Sequence, residues 1–511
     1  MGFFESHARH HCCPNGSQVI RKTPVPIPRA TKIVATLGPA SSSAEVIEKL
    51  ILAGVNVMRL NFSHGTAQDH LDRAQLVRSI ADRLGVDVGI LADLQGPKIR
   101  VGKFAGGKVE IPTGAKFVFD LNCELGDAQH VGLDYKELVN DVSAGDTLLL
   151  NDGLMSMRVD AVTPSTITCT VLEGGVLSDR KGINRVGGGL SAPALTEKDI
   201  GDIQVAAQMK ADFLAVSFPK NAADMELARD LMRKAGGHAA TVAKIERVEA
   251  IDNLQEIIDA SDAIMVARGD LAVEVGDAAV PALQKRMIRM ARESNRVTIT
   301  ATQMMESMIS SPVPTRAEVS DVANAVLDGS DAVMLSAETA AGKFPVQTVL
   351  SMARVCVEAE KSANLSIDAT FLNRNFTRID QSIAMASLFT ARHLKVKAIA
   401  SLTESGSTAL WMSRVNTGVP IYALTPVQAS RRRVALYREV TPVFFDYKSR
   451  EREEVLREAE QRLVDEGIVS KGDVMIVTIG EPVGQQGGTN TMKIITVAAL
   501  PTPGSKALSR S

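Results

Sequence analysis

TVAKIERVEAIDNLQEIIDASDAIMVARGDLAVEV, residues 241–275, decides the fold. With the residues just before it, the stretch holds two short apolar runs, AATVA (239–243) and AIMVA (263–267), each followed at once by charge. The first run delivers Lys244 and Glu246; the second delivers Arg268, Gly269 and Asp270. An amphipathic segment of about twenty residues joins them, as in a strand–helix–strand unit with parallel strands. Parallel strands of such a unit end on the same side, so Glu246 and Asp270 are expected to converge, with Lys244 beside them. Two carboxylates completed by water and substrate oxygens suit Mg²⁺, which dehydrates reluctantly. A cation and an ammonium on strand ends suit a substrate that carries or develops negative charge. Taken alone, the stretch also fits ordinary loop charges after two buried strands.

Outward from this stretch the same rhythm repeats. TKIVATLGP (31–39) reads as a strand, and Ser41 to Ser43 are placed to cap a helix that starts near Ala44. VNVMRLNFSHG (55–65) reads as a second strand ending in Arg59, Asn61, Ser63 and His64, followed by a helix from about Ala67 to Leu84. DVGILADLQGPKIR (87–100) is the third, ending in Asp93, Gln95 and Lys98. After a helix capped by Thr196, ADFLAVSFPK (211–220) is the fourth. RVTITATQM (296–304) and SDAVMLSAET (330–339) are the seventh and eighth, and a helix from about Val346 to Lys361 follows. Eight strand–helix units specify an α/β fold, a (β/α)8 TIM barrel, whose sites lie at the C-terminal ends of its strands. Arg59, Asn61, Ser63, Asp93, Lys244, Glu246, Asp270 and Thr302 then share one rim.

The rhythm is interrupted twice. Residues 99–192 are glycine-rich with alternating strand-like runs, which reads as an all-β insert between barrel segments 31–98 and 193–362. Its tail, SDRKGINRVGG, puts Arg180, Lys181 and Arg185 on a basic loop that can close over phosphates or stay a solvated hairpin. Residues 363–500 read as a C-terminal α/β domain. Its TESGST turn (403–408) combines hydroxyls with helix N-terminal amides, a phosphate-binding arrangement, although most such turns only cap a helix. EPVGQQGGTNTMK (481–493) is a candidate lid for that turn, and Arg431 to Arg433 read as a solvated helix face, with an effector pocket or a subunit contact as the alternative. Residues 1–30, with HARHHCC and three prolines, read as a disordered extension, and 501–511 as a tail.

The totals bound the function. The chain has 511 residues, 45% hydrophobic and 23% charged, with a formal net charge of −2. That balance argues against a nucleic-acid or membrane-surface binder, and 4% aromatics is thin for base-stacking platforms. The five cysteines follow neither disulfide nor zinc spacing, so a cytoplasmic, reducing location is expected.

KIVATLGPAS, MRLNFSHG, DLQGPKIR, KIE, MVARGDLAVEV, ATQMMESMI, PTRAEVSDVANAVLDGSDAVMLSAETAAGKFP and GGTNTMK together resemble the pyruvate kinase family, bacterial type. The resemblance runs from Thr31 to about Val497. It implies transfer of a phosphoryl group from phosphoenolpyruvate to ADP, giving pyruvate and ATP at the final step of glycolysis. It implies that Glu246 and Asp270 hold Mg²⁺ or Mn²⁺, that Lys244 stabilises the transferring phosphoryl group and the enolate, and that Arg59 binds the substrate phosphate. Gly269 and Asp270 would offer amides to the substrate carboxylate. Thr302 would offer a hydroxyl and relay a proton from water. Asn61, Arg100 and Lys181 match positions that contact the nucleotide phosphates. A phosphorylated effector at Thr403, Ser405, Ser407 and Thr408 and a homotetramer are likewise implied.

One departure is informative. Asn61, Ser63 and Asp93 match a K⁺ site, yet Leu94 stands where K⁺-dependent members carry Thr, and Lys98 where they carry Glu. Lys98 is expected to place its ammonium where K⁺ would sit, making K⁺ unnecessary. The segment 481–489 also lacks the Trp and Arg of members activated by fructose 1,6-bisphosphate, so AMP or a sugar monophosphate is at least as good an effector candidate. Two other readings use parts of the same inventory. A metal-dependent barrel lyase acting on pyruvate-type enolates would not need ADP, and a non-catalytic sensor would not need Lys244, Glu246, Asp270 and Thr302 intact.

Overall fold

Eight short apolar segments form the parallel strands β1 (Lys32–Thr36), β2 (Val57–Asn61), β3 (Gly89–Asp93), β4 (Phe213–Val216), β5 (Ala240–Ile245), β6 (Ala263–Ala267), β7 (Val297–Ala301) and β8 (Ala332–Leu335). They close into a barrel in the order β1-β8-β7-β6-β5-β4-β3-β2. Most of their side chains are buried on both faces, as strands enclosed by helices require. This computed structural model describes residues 29–151, 153–362, 375–447, 451–482 and 487–498. The expected tail and most of the expected extension fall outside the described residues. Arg29 and Ala30 differ from that expectation, because they are tied to the barrel. The Arg29 guanidinium donates to the Gly54 carbonyl at 2.7 Å, and the Ala30 N–H donates to Glu360 at 2.9 Å.

The helix after β2 spans Ala67–Leu84, started by a reciprocal Thr66/Asp69 cap and ended by Gly85 in the left-handed region. Ser43 caps the Ala44–Leu52 helix by accepting from the Val46 N–H. Between β5 and β6 the structure departs from the single amphipathic segment expected. Two short helices, Val248–Asp252 and Leu254–Ala260, meet at Asn253. After β6 the charged residues lie in no loop: Arg268–Val275 is a helix whose first turn carries Gly269 and Asp270.

The insert is built on a six-stranded sheet around Phe117, Phe119, Met157 and Ile167. Its one helix among the described residues is Leu138–Asp141. The C-terminal sheet contains β9 (Ala398–Leu402), β10 (Ile421–Thr425), β11 (Val440–Phe444), β12 (Val474–Gly480) and β13 (Thr489–Thr496), in the order β11-β10-β9-β12-β13. β13 runs antiparallel to β12. The lid expected over 481–493 is therefore corrected: 489–493 belong to a paired strand, and 483–486 lie outside the described residues.

This second unit seats against the N-terminal end of the barrel. Val34, Val57, Leu91, Phe213 and Met265 from the barrel interior join Met412, Ile421 and Leu436 in one apolar cluster. The Arg431–Arg433 run is not a solvated face. Arg431 pairs with Asp87 at 3.0 Å, Arg432 lies 3.9 Å from Asp82, and Arg433 donates to the His238 carbonyl at 3.1 Å. Acidic partners distant in sequence turned a basic helix face into a docking face. Beside it, fully buried Arg414 forms a two-pronged ion pair with Asp331, which also accepts from the Thr298 and Arg438 amides.

Candidate active site

The barrel brings four of its sequence-expected rim residues, Arg59, Asp93, Lys244 and Glu246, into one chain of contacts. From the end of β3, Asp93 is completely buried and faces two cations: Arg59 Nε of β2 at 2.6 Å and Lys244 Nζ of β5 at 3.4 Å. Burial by itself would raise the Asp93 carboxyl, yet Lys244 and Arg59 hold it below the usual carboxylate range. Arg59 is fixed from its other side by Thr36 Oγ1 of β1 at 3.0 Å. Lys244 also reaches Glu246 Oε1 at 3.0 Å and donates to Ser217 Oγ at 2.7 Å. Burial opposes the charge on Lys244, but Asp93 and Glu246 outweigh it and raise its pKa, so the ammonium is permanent at neutral pH.

Glu246 is 1% exposed, and its second oxygen accepts from the Phe218 N–H at 2.9 Å. Phe218 takes φ 55°, an unusual angle for an aromatic residue, which aims that amide inward. Burial, with Asp270 adding to it, pushes the Glu246 carboxyl up to about 7 against the pull of Lys244. A dication held by Glu246 and Asp270 would remove that penalty, and an all-oxygen pair of carboxylates fits a hard ion. The metal residues expected from sequence therefore fit a divalent cation.

Thr302 sits just past β7 at φ 69°, followed by Gln303 at 53°. A β-branched residue there is strained by on the order of 1–3 kcal/mol. The turn points Thr302 Oγ1 at the Gly269 N–H, from which it accepts at 2.9 Å, while it donates to the Ala301 carbonyl at 2.6 Å. Arg268 braces the turn by donating to the Thr302 carbonyl at 2.7 Å and pairing with Asp321.

Lys98 lies at the mouth of the insert, 3.8 Å from Asp270 Oδ1. Its ion pair is with Asp270, so it differs from a lysine seated directly against Asp93. Asn61 Oδ1 accepts from the Ser63 N–H at 3.1 Å and thereby shapes its own loop. On the insert, Arg100 donates to the Arg180 carbonyl at 3.0 Å, and the Lys181 carbonyl accepts from the Val101 N–H at 2.9 Å. Arg185 is committed elsewhere, paired with Asp146 at 3.0 Å. Of the three basic residues expected on that loop, Arg185 is thus a structural brace.

In the C-terminal unit, Thr403, Ser407 and Thr408 line a small cleft with Glu404, Tyr447 and Thr489. Part of the TESGST turn is self-satisfied. Thr403 Oγ1 accepts from the Gly406 N–H, Ser405 donates to Ser407, and Thr408 and Thr489 share a hydrogen bond at 2.8 Å.

Sequence reading missed Ser217, the Phe218 amide and Thr36, none of which carries charge. The available signal for Ser217 was its position: a hydroxyl immediately after β4, on the rim where barrel sites form.

Comparison with known proteins agrees with this fold. Residues 28–349 match the model of the pyruvate kinase barrel domain, and residues 381–495 match that of the pyruvate kinase alpha/beta domain. The chain is 52% identical over 475 residues to pyruvate kinase II of Salmonella typhimurium, covering 92% of this chain and 99% of that one. The chain belongs to the pyruvate kinase family. It is 51% identical over 469 residues to the pyruvate kinase of Haemophilus influenzae, covering 91% and 97% of the two chains. The pyruvate kinase of Mycobacterium tuberculosis is 41% identical over 466 residues, covering 91% and 98%. A pyruvate kinase is a phosphotransferase, so membership implies a nucleotide substrate and a divalent metal.

Proposed function

We propose that the rim residues carry out phosphoryl transfer from phosphoenolpyruvate to ADP in the roles the sequence assigns them, and that the reaction proceeds without K⁺. What carries this reading is the buried Arg59–Asp93–Lys244–Glu246 chain of charges. It fixes two cations side by side before substrate arrives, as phosphoryl transfer needs positioning and charge neutralisation above all.

Arg59 binds the substrate phosphate. Lys244 meets negative charge on the moving phosphoryl group and on the enol oxygen. Gly269 and Asp270 direct amides from the first turn of their helix to the substrate carboxylate, the Gly269 N–H first releasing Thr302 Oγ1. Glu246 and Asp270 would hold Mg²⁺ or Mn²⁺, which when bound would supply Lewis-acid stabilisation of negative charge on the substrate. The bond from phosphorus to the enol oxygen breaks as one to the terminal ADP oxygen forms, leaving enolate. The enolate carbon then takes a proton from water through Thr302, whose hydroxyl must first release the Ala301 carbonyl. Arg100 and Lys181 on the insert, with Asn61 on the rim, meet the nucleotide phosphates.

Support for K⁺ independence is chemical. Leu94 is a buried hydrocarbon with no side-chain oxygen for a cation, and Lys98 brings a fixed ammonium to the rim, although here it stands beside Asp270 and not at Asp93. The division into barrel segments 31–98 and 193–362, insert 99–192 and effector-binding domain 363–500 belongs to the same proposal. So do a homotetramer, a reducing cytoplasmic setting in which Cys123, Cys169 and Cys356 stay as free thiols, and a phosphorylated activator at Thr403, Ser405, Ser407 and Thr408. No helix among the described residues is long and apolar enough to cross a membrane.

The deciding assay is pyruvate release from phosphoenolpyruvate with Mg²⁺, with and without ADP, first with no K⁺. ADP-dependent turnover at a rate that added K⁺ does not raise is expected. Turnover that appears only with K⁺ would sink the Lys98 argument and leave the kinase standing. Turnover without ADP would favour a lyase.

A further inference from the structure

The insert returns to the barrel through Gly187, Gly188 and Gly189, at φ 83°, 73° and 87°. Three consecutive residues in the left-handed region is a conformation glycine alone adopts readily, so this linker has little stiffness of its own. Two side chains clamp a single peptide group of it from opposite ends. From the insert side, Arg185 donates to the Gly188 carbonyl at 3.0 Å and is itself held by Asp146. From the barrel side, Glu249 Oε1 accepts from the Gly189 N–H at 2.6 Å. Both side chains thus hold the one planar peptide group that joins Gly188 to Gly189, and the rotatable bonds of the linker lie on either side of it. The approach is close: a Cβ on Gly188 would lie 3.0 Å from both Glu249 carboxylate oxygens. Glu249 Oε2 is buried without a hydrogen-bond partner, so the carboxylate is committed to this one amide.

The latch also leads inward. Glu249 lies on the Val248–Asp252 helix, whose Val248 N–H donates to Glu274 Oε2 at 3.0 Å. Glu274 is on the helix that begins Arg268–Gly269–Asp270. On the insert side, the strand carrying Arg185 bonds back to the entry linker, with Ile183 N–H on the Ile99 carbonyl at 2.9 Å. Arg100 and Lys181 therefore move with the insert as one body.

We propose that Glu249 is a positioning residue for the nucleotide: its carboxylate latches the insert's exit linker to the barrel and sets where Arg100 and Lys181 stand over the site. This rests on the reading that Arg100 and Lys181 meet nucleotide phosphates. Phosphoenolpyruvate is held by barrel residues alone, so loosening the latch separates the two substrates.

The test uses the full-length enzyme with Mg²⁺. Glu249→Ala is expected to raise KM for ADP about tenfold and leave KM for phosphoenolpyruvate within about twofold, because a charge-assisted bond is lost on the nucleotide side only. Glu249→Gln, whose amide oxygen still accepts, is expected to stay within about threefold of the parent. Hydrogen exchange over residues 186–190 is expected to quicken in Glu249→Ala, with the insert sheet unchanged. Unaltered exchange at the linker would overturn the latch. So would KM values that rise together, which mark a merely structural role. If Glu249→Ala does not fold, Glu249→Asp, one methylene shorter, withdraws the same carboxylate from the Gly189 amide and carries the same expectations. An unchanged KM for ADP in Arg100→Ala and Lys181→Ala would remove the nucleotide reading, while the exchange result would still decide the latch.

Discussion

Asp93 is the residue on which the most site geometry depends, and it touches no substrate in the proposed mechanism. Its two oxygens face Arg59 and Lys244 from a fully buried position. Exchange for asparagine keeps the shape and removes the charge that holds both cations. Asp93→Asn is expected to lower kcat by about 100-fold, roughly 3 kcal/mol of transition-state stabilisation, with far-ultraviolet circular dichroism unchanged. An unchanged kcat would make Asp93 a spectator. At this scale the sequence was legible where charge follows an apolar run, as at Lys244, Glu246 and Asp270. It was silent where the work is done by a backbone amide at an unusual φ, as at Phe218, because no residue type announces that.

The helix Glu197–Gln208 shows how an element can hold a site from a distance. Its Asp199 completes a reciprocal cap with Thr196, accepting from the Thr196 N–H at 2.9 Å, and its other oxygen accepts from the Gly96 N–H at 3.1 Å. Gly96 lies two residues before Lys98, at φ 68°, where a Cβ would come within 2.7 Å of the Ser217 Cβ. Asp199→Ala is expected to cost about 2–3 kcal/mol in denaturant unfolding, the sum of a lost cap and an orphaned buried amide. A loss under about 0.5 kcal/mol would mean that water replaces both bonds. The cap at Thr196 could be read from sequence. The second bond could not, because it joins residues 103 positions apart.

At the scale of the whole molecule, charge is concentrated where the C-terminal unit meets the barrel. Arg414 and Asp331 are paired there, and Glu439 is buried nearby with Oε2 lacking a hydrogen-bond partner. Burial pushes the Glu439 carboxyl up from 4.5 to about 7, against the pull of Arg438. A folded-state pKa above the unfolded one means the folded chain keeps a proton that the unfolded chain has released. Stability from this group is therefore full below 4.5 and is lost as pH rises through about 7. Glu439→Gln is expected to flatten the fall in unfolding free energy between pH 5 and 7 and to leave the enzyme more stable than the parent at pH 8. A parallel pH profile for the two proteins would show that Glu439 stays ionised.

The sequence by itself determined the barrel, the insertion point after β3 and the identity of the charged rim. These follow from local pattern: apolar runs of strand length, caps, and charge placed just past each run. Only the tertiary structure decided that Arg431 to Arg433 dock against the barrel, that two helices replace one after β5, and that Lys98 pairs with Asp270. It alone set Glu249 against Gly189. Each of these depends on a partner brought close by folding, and the energy of an ion pair or hydrogen bond depends on that distance and burial, neither of which is written in the order of residues.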